Sequence, residues 1–249
     1  MSGHSKWASI KHKKAATDSK RQAAFTKITR EIIAAAKASG GNTDHNPRLR
    51  TAIARARIIN MPNSNVENAI KKGTGELPGV TYETVVFDAR GPKGIALLIE
   101  GLTDNKNRTT AEIRNILEKK NGQLSGAGSA SYMFTTKGFI AIEKSKANEE
   151  QVMEIALDAG ADDMKAEGDY FEIVCDPTKL ETVKAAISAK NIPMESAEIT
   201  KIPNSTVRVV GNDAKVVLSL MEALEDHEDI QAVHANFDIP DEEIEKAAE

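Results

Sequence analysis

At about residue 76 the apolar residues of this chain change period. Before that point they recur every three to four positions, and after it they alternate. A helical period cannot serve as a strand, so the boundary separates an all-helical front from a mixed body. In the body, TYETVVFDAR and GIALLIEGLT read as two strands joined by the turn Gly91-Pro92-Lys93-Gly94. Asp104 is placed to cap a helix over 105–120, which Asn121-Gly122 ends before the loop SGAGSAS. Residues 131–202 then spell β-α-β-β-α-β: the strand SYMFTTKGFIAIE, a helix over 149–159, strands near 162–166 and 170–175, a helix from Pro177, and a strand near 195–202. That is the ferredoxin-like order. A final strand TVRVVG, a helix over 213–224 and a strand IQAVHANF lack partners, unless they join the ββα piece at 80–121.

The expected fold class is therefore α+β and multidomain. A small N-terminal helical bundle (1–75) precedes a discontinuous α/β domain (76–130 plus 203–249), into which a ferredoxin-like domain (131–202) is inserted. Three independent domains in tandem are the alternative. The acidic tail DIPDEEIEKAAE is expected to fray.

The front divides into three helices. Thr17 or Asp18 can cap the first, which Gly40-Gly41 ends. Phe25, Ile28, Ile32 and Ala36 form its apolar face, with Lys20, Lys27, Arg30 and Lys37 opposite. Asn46 and Pro47 suit the cap and first position of the second helix, which Met61-Pro62 stops. Leu49, Ile53, Ala56 and Ile59 make its buried stripe. Arg50 and Arg57 lie along one edge, and Arg48 and Arg55 along the other. The third helix, over 64–72, buries Val66, Ala69 and Ile70, with Gly73 as its C-cap. Lys71 and Lys72 suit its last turn by dipole attraction, or else contact a ligand. Residues 1–16 carry no periodic stripe and read as a disordered arm. Trp7 within it either anchors on the body or stacks on a base.

Charge follows the same division. Residues 1–75 hold 15 Lys and Arg against 4 acids, giving +11; residues 76–134 hold 7 of each; residues 135–249 hold 11 against 26, giving −15. A basic front on an acidic body suggests a polyanion-binding module. Its candidate contacts are Lys6, Trp7, Lys11, Lys13, Lys14, Lys20, Arg21, Lys27, Arg30, Arg48, Arg50, Arg55, Arg57, Lys71 and Lys72. Lys106 and Arg108 join them. Both sit in a first helical turn, where the dipole favours acids, so they face either an anionic partner or the acidic back of the chain.

No catalytic constellation is present. The single cysteine, Cys175, precludes an intramolecular disulfide and lies in the apolar run FEIVC, as a buried structural thiol would. Gly126-Ala127-Gly128 lacks the third glycine of a nucleotide fingerprint and follows a helix rather than a strand, so phosphate cradling there is not expected. No histidine shares a helical face with acids at metal spacing. Asp162-Asp163 and Glu149-Glu150 read as solvated. Lys137-Gly138-Phe139 begins like an RNA-binding signature. It stands on the wrong strand, however, and residues 131–202 carry 8 basic and 14 acidic residues, which repel phosphate. That domain suits a protein contact or a scaffold instead. No enzyme, cofactor or metal is expected, and the absence of a long apolar stretch or a secretory leader points to a cytoplasmic protein away from membranes.

MSGHSKWASIKHKK, NPRLRTAI, AIKKGTGEL, and LTDNKNRT followed by SYMF closely resemble the YebC family across essentially the whole chain. That family includes the mitochondrial translational activator of cytochrome c oxidase subunit I. The resemblance implies a helical N-terminal domain, two α/β domains and a cytoplasmic, DNA-binding transcriptional regulator. Other members look like ribosome-associated translation factors that relieve stalling. Ser9 and His12 stand where the family often has Thr and Arg, and Lys106 where Arg is frequent. The partner implied is nucleic acid, either DNA or ribosomal RNA.

Overall fold

A computed structural model describes residues 18–240 and Glu243, with side chains from Arg21 onward. The structure is mixed α/β and multidomain. The described residues form two compact units, one of those up to Ser131 together with those from Val207, the other Tyr132–Thr206.

The first unit opens with helices α1 (Asp18–Ser39), α2 (Pro47–Ile58) and α3 (Asn63–Thr74). The Asn46 side chain accepts from Leu49 N at 3.0 Å and so caps α2, with Pro47 in the first turn. Leu49, Ala52 and Ala56 are fully buried against Ile32 and Ala35 of α1, and Tyr82 packs on the same cluster. Ile53 and Ile59 lie at the margin of that stripe, only partly buried.

The C-cap of α3 differs from expectation. Gly75 takes the left-handed conformation (φ +85°), and Gly73 lies inside the helix. Gly73 has a packing role instead: a Cβ there would come within 2.6 Å of both the Ala36 Cβ and the Ile33 carbonyl oxygen of α1. The two helices touch backbone to backbone at this point. Gly73→Ala should therefore destabilise by about 1–3 kcal/mol through overpacking, against a helix-propensity gain of about 1 kcal/mol. A melting temperature at or above that of the parent would show that the crossing is not tight.

Strands β1 (Glu83–Arg90) and β2 (Ala96–Thr103) form the expected hairpin, with Val86 opposite Glu100. Helix α4 (Lys106–Lys119) follows, then a short strand β3 (Gln123–Leu124) that has no signal in the sequence. Asn105, not Asp104, caps α4, accepting from Arg108 N at 3.1 Å. Asp104 instead accepts from the Arg108 guanidinium at 2.8 Å. The loop after β3 wraps the buried Asp88 carboxylate, which accepts from the backbone N–H of Gly128 (3.0 Å), Ala130 (2.8 Å) and Ser131 (2.7 Å).

In the second unit, strands β4 (Phe134–Glu143), β5 (Ala161–Glu167), β6 (Tyr170–Cys175) and β7 (Ser196–Pro203) alternate with helices α5 (Glu149–Asp158) and α6 (Leu180–Ala189). All neighbouring strands run antiparallel, in the order β5-β6-β4-β7. That is the split βαβ arrangement of ferredoxin-like folds. Ile140, Ile142, Phe171 and Ile173 meet Val152, Val183 and Ile187 of the helices in a single core. Cys175 is buried there, and burial raises its thiol pKa, which suits an inert thiol. Ser131–Met133, expected as strand, is a 3₁₀ turn.

The chain then returns to the first unit through β8 (Val207–Arg208), α7 (Asn212–Glu225), β9 (Ile230–Ala235) and β10 (Phe237–Asp238). Strand β9 pairs antiparallel with β2, completing a sheet ordered β3-β1-β2-β9. TVRVVG yields only two strand residues, and they pair in parallel with β10 rather than with the main sheet. Gly211, at φ +63°, ends that stretch and turns the chain into α7. Val85, Phe87, Leu97 and Ile99 face Ile113, Val217 and Met221 in the core of this layer. No helix among the described residues is long and apolar enough to cross a membrane.

Candidate nucleic-acid interface

Of the predicted contacts, Lys6, Trp7, Lys11, Lys13 and Lys14 lie outside the described residues, as does the side chain of Lys20. The rest fall into two groups, cations committed to the protein itself and cations presented to solvent.

The committed group faces the α/β layer. Lys27 donates to the Glu225 carbonyl at the C-terminus of α7, where the helix dipole favours a cation. Arg30, 12% exposed, donates to Asp229 through Nη1 and reaches Glu228 at 3.0 Å through Nη2. Its guanidinium also lies 5.5 Å from the centre of the Tyr82 ring. Lys37 donates to the Thr81 hydroxyl at 2.7 Å. The side of α1 that carries these cations, read from the sequence as the face opposite the apolar stripe, thus docks onto the body.

Asp229 is the hub of that contact. It is 2% exposed, in the turn between α7 and β9. One carboxylate oxygen takes Arg30. The other takes Arg108 at 2.9 Å and the Thr109 hydroxyl at 2.6 Å. Burial alone would raise its pKa, but the Thr109 hydroxyl, Arg108 and Arg30 outweigh burial and hold it below the usual carboxylate range. Asp229 and Asp104 together raise the pKa of Arg108. The two cations of the first turn of α4 therefore part company. Arg108 pairs with the acidic back of the chain, while Lys106 is exposed and makes no ion pair among the described residues.

Sequence spacing gave no metal cluster, yet the fold gathers Glu112, His227 and Asp229 in the lining of a cleft of about 550 Å³, their ligand atoms within 4.8 Å of one another. The chemistry does not suit a cation. Both oxygens of Asp229 are engaged by guanidinium groups. The Asp229 N–H donates to His227 Nδ1 at 3.2 Å, so the ring proton sits on Nε2 and donates to Glu112 at 2.9 Å. A divalent ion would have to break these bonds beside two arginines. The group is a closed ionic network between helical module and body. The run Asp226-His227-Glu228-Asp229 at a predicted helix end was its only trace in the sequence.

The presented group lies on α2 and α3. Arg48, Arg50, Arg55 and Arg57 are exposed, as are Lys71 and Lys72 in the last turn of α3. Arg50 donates to the Thr43 carbonyl at 3.0 Å, and Arg55 reaches Glu31 at 3.3 Å. Arg48, Arg57, Lys71 and Lys72 form no ion pair among the described residues. Arg21 is exposed, 5.7 Å from the centre of the Phe25 ring. Among the described residues of the N-terminal module, the cations presented to solvent are thus gathered on α2 and α3, with Arg50 and Arg55 also bonded within the protein.

Two family descriptions match the chain: TACO1/YebC protein N-terminal domain over residues 5–76, and TACO1/YebC second and third domain over residues 82–237. A probable transcriptional regulatory protein of Syntrophobacter fumaroxidans is 50% identical over 249 residues, the full length of both chains. One from Desulforapulum autotrophicum is 50% identical over 242 residues, covering 97% of this chain and 98% of the relative. The crystal structure of a conserved hypothetical protein from Aquifex aeolicus shares 42% identity and superposes with a TM-score of 0.82, covering 93% of this chain and 96% of that one. With both descriptions matched and relatives aligned from end to end, the chain belongs to the TACO1/YebC family.

Proposed function

We propose that this protein is a non-enzymatic, nucleic-acid-binding regulator of gene expression that holds the phosphate backbone with its N-terminal helical module. The observation that carries this reading is the set of exposed cations on α2 and α3, on a chain whose net charge is −4. The relatives' names, probable transcriptional regulatory proteins, support a role in transcription, for which DNA is the partner we propose. Control of translation on the ribosome would use the same phosphate chemistry, because phosphate contacts position a protein without reading sequence. In this reading residues 1–75 are the binding module and 76–130 with 203–249 its platform. The acidic 131–202 domain is a protein-contact surface, and the protein acts in the cytoplasm.

Affinity should fall steeply with salt. With about six phosphates neutralised, log K against log[salt] on duplex DNA should have a slope near −5, from roughly −0.9 per contact. A slope near zero would refute an electrostatic module. Cosedimentation from a lysate with ribosomes or with chromosomal DNA then selects the physiological target.

A further inference from the structure

Helix α2 has an arrangement that the binding reading does not by itself require. Its buried stripe is Leu49, Ala52 and Ala56. At about 100° per residue, the side facing away from that stripe carries Pro47, Thr51, Ala54 and Ile58. All four are exposed, Ile58 by 79%, and none is charged. Thr51 spends its hydroxyl on the Pro47 carbonyl at 3.1 Å. Arg50 and Arg57 stand about 80° to one side of this crest, and Arg48 and Arg55 about 80° to the other. Within each row the arginines are seven residues apart, or about 10 Å along the axis. A helix that merely solvates its outer face would place its charges at the crest. This one has the crest bare and a cationic row on each flank, in which Arg50 also donates to the Thr43 carbonyl and Arg55 to Glu31, so those two exchange a partner within the protein for a phosphate.

Resting on the binding reading above, we infer that α2 is a groove-filling helix for B-form duplex DNA, its crest turned to the groove floor and its two arginine rows gripping opposite phosphate walls. Complementarity selects this occupant. Two rows on opposite flanks need two anionic walls, and a single strand offers one. The B-form major groove is about 12 Å wide and admits a helix, whereas the major groove of duplex RNA is too narrow and deep. The uncharged crest lets the helix axis approach the floor but presents almost no donors or acceptors to base edges, so this contact discriminates little between sequences.

The test uses the full chain with three probes of matched length: random-sequence duplex DNA, the corresponding duplex RNA and single-stranded DNA. At roughly 0.9 per contact, Arg50 and Arg57 changed together to Gln should reduce the duplex-DNA salt slope by about 2, and Arg48 and Arg55 changed together by about 1 to 2, because Arg55 already pairs with Glu31. Ala54→Trp adds bulk without charge at an exposed position. It should weaken duplex-DNA binding at least tenfold and leave single-strand binding unchanged, with unfolding curves confirming the fold. The inference is overturned if only one row changes the slope, if Ala54→Trp binds duplex DNA normally, or if duplex RNA binds as tightly as duplex DNA. In each of those cases salt-dependent binding by the parent would leave the broader reading standing. Absence of salt-dependent binding to every probe would instead defeat both.

Discussion

Asp229→Ala should be among the most destabilising single substitutions in this protein, costing about 3–5 kcal/mol. For a chain of this size that corresponds to a fall in melting temperature on the order of 10 °C. The mechanism is the orphaning of charge. Arg30 is nearly buried and would lose the carboxylate that compensates it, while Thr109 would lose its acceptor. Arg108→Ala should cost less, because that side chain is 41% exposed and water can replace it around Asp229. Arg108→Glu should be worse than Arg108→Ala, since it sets a second carboxylate against Asp229. Lys106→Glu should leave the melting temperature unchanged. Thermal unfolding of these four variants checks the ranking, and an Asp229→Ala protein melting within a degree or two of the parent would show that the network carries no net stability.

Asp88→Ala should have the second-largest effect, about 3 kcal/mol, because three backbone N–H groups lose a charged acceptor at a site only 6% exposed. Asp88→Asn should recover part of this, as the amide oxygen can still accept from Ala130 and Ser131. Amide hydrogen exchange at Gly128, Ala130 and Ser131 should accelerate in the alanine variant, and unchanged exchange there would contradict the assignment. The pH dependence follows. Burial would raise the Asp88 pKa, but the N–H groups of Ala130, Gly128 and Ser131 outweigh it, so the net shift is downward, as for Asp229. A carboxyl with a depressed folded-state pKa contributes stability that is fully present above its unfolded value, about 3.9, and is lost as the pH falls through the folded value. The parent should therefore keep a nearly constant melting temperature from pH 7 to about pH 5 and lose stability below about pH 4. In Asp88→Asn and Asp229→Asn that acid-side slope should be shallower, by about one proton each.

The same two residues show where reading along the chain stops being enough. Asp88 alternates correctly within TYETVVFDAR, yet it is a polar residue at a buried position. Its role depends on a loop that begins 37 residues later, at Ser125, and folds its amides around the carboxylate. That loop, SGAGSAS, resembled half a phosphate cradle, and its amides do bind an anion, one that belongs to the protein. Gly73 followed a lysine pair at a plausible helix end, as a C-cap glycine does. Only the approach of α1 revealed that it is the absence of a Cβ, rather than a positive φ, that matters there.

What the residues settled unaided is whatever depends on neighbours within a few positions. The C-terminal end of α1, the extent of α2, the Asn46 cap, the β1–β2 hairpin and the alternation of strands and helices in β-α-β-β-α-β follow from periodicity, capping and turn chemistry, all short-range. The excess of cations in the first 75 residues is likewise a matter of counting. Which of those cations remain available to a partner is not, because every Lys and Arg looks alike until acids from distant elements are placed beside it. Arg30 and Asp229 are 199 residues apart and meet only because β9 pairs with β2, which brings the turn after α7 under α1. The long-range pairing of strands, which no local pattern encodes, therefore decided that Lys27, Arg30 and Arg108 hold the protein together.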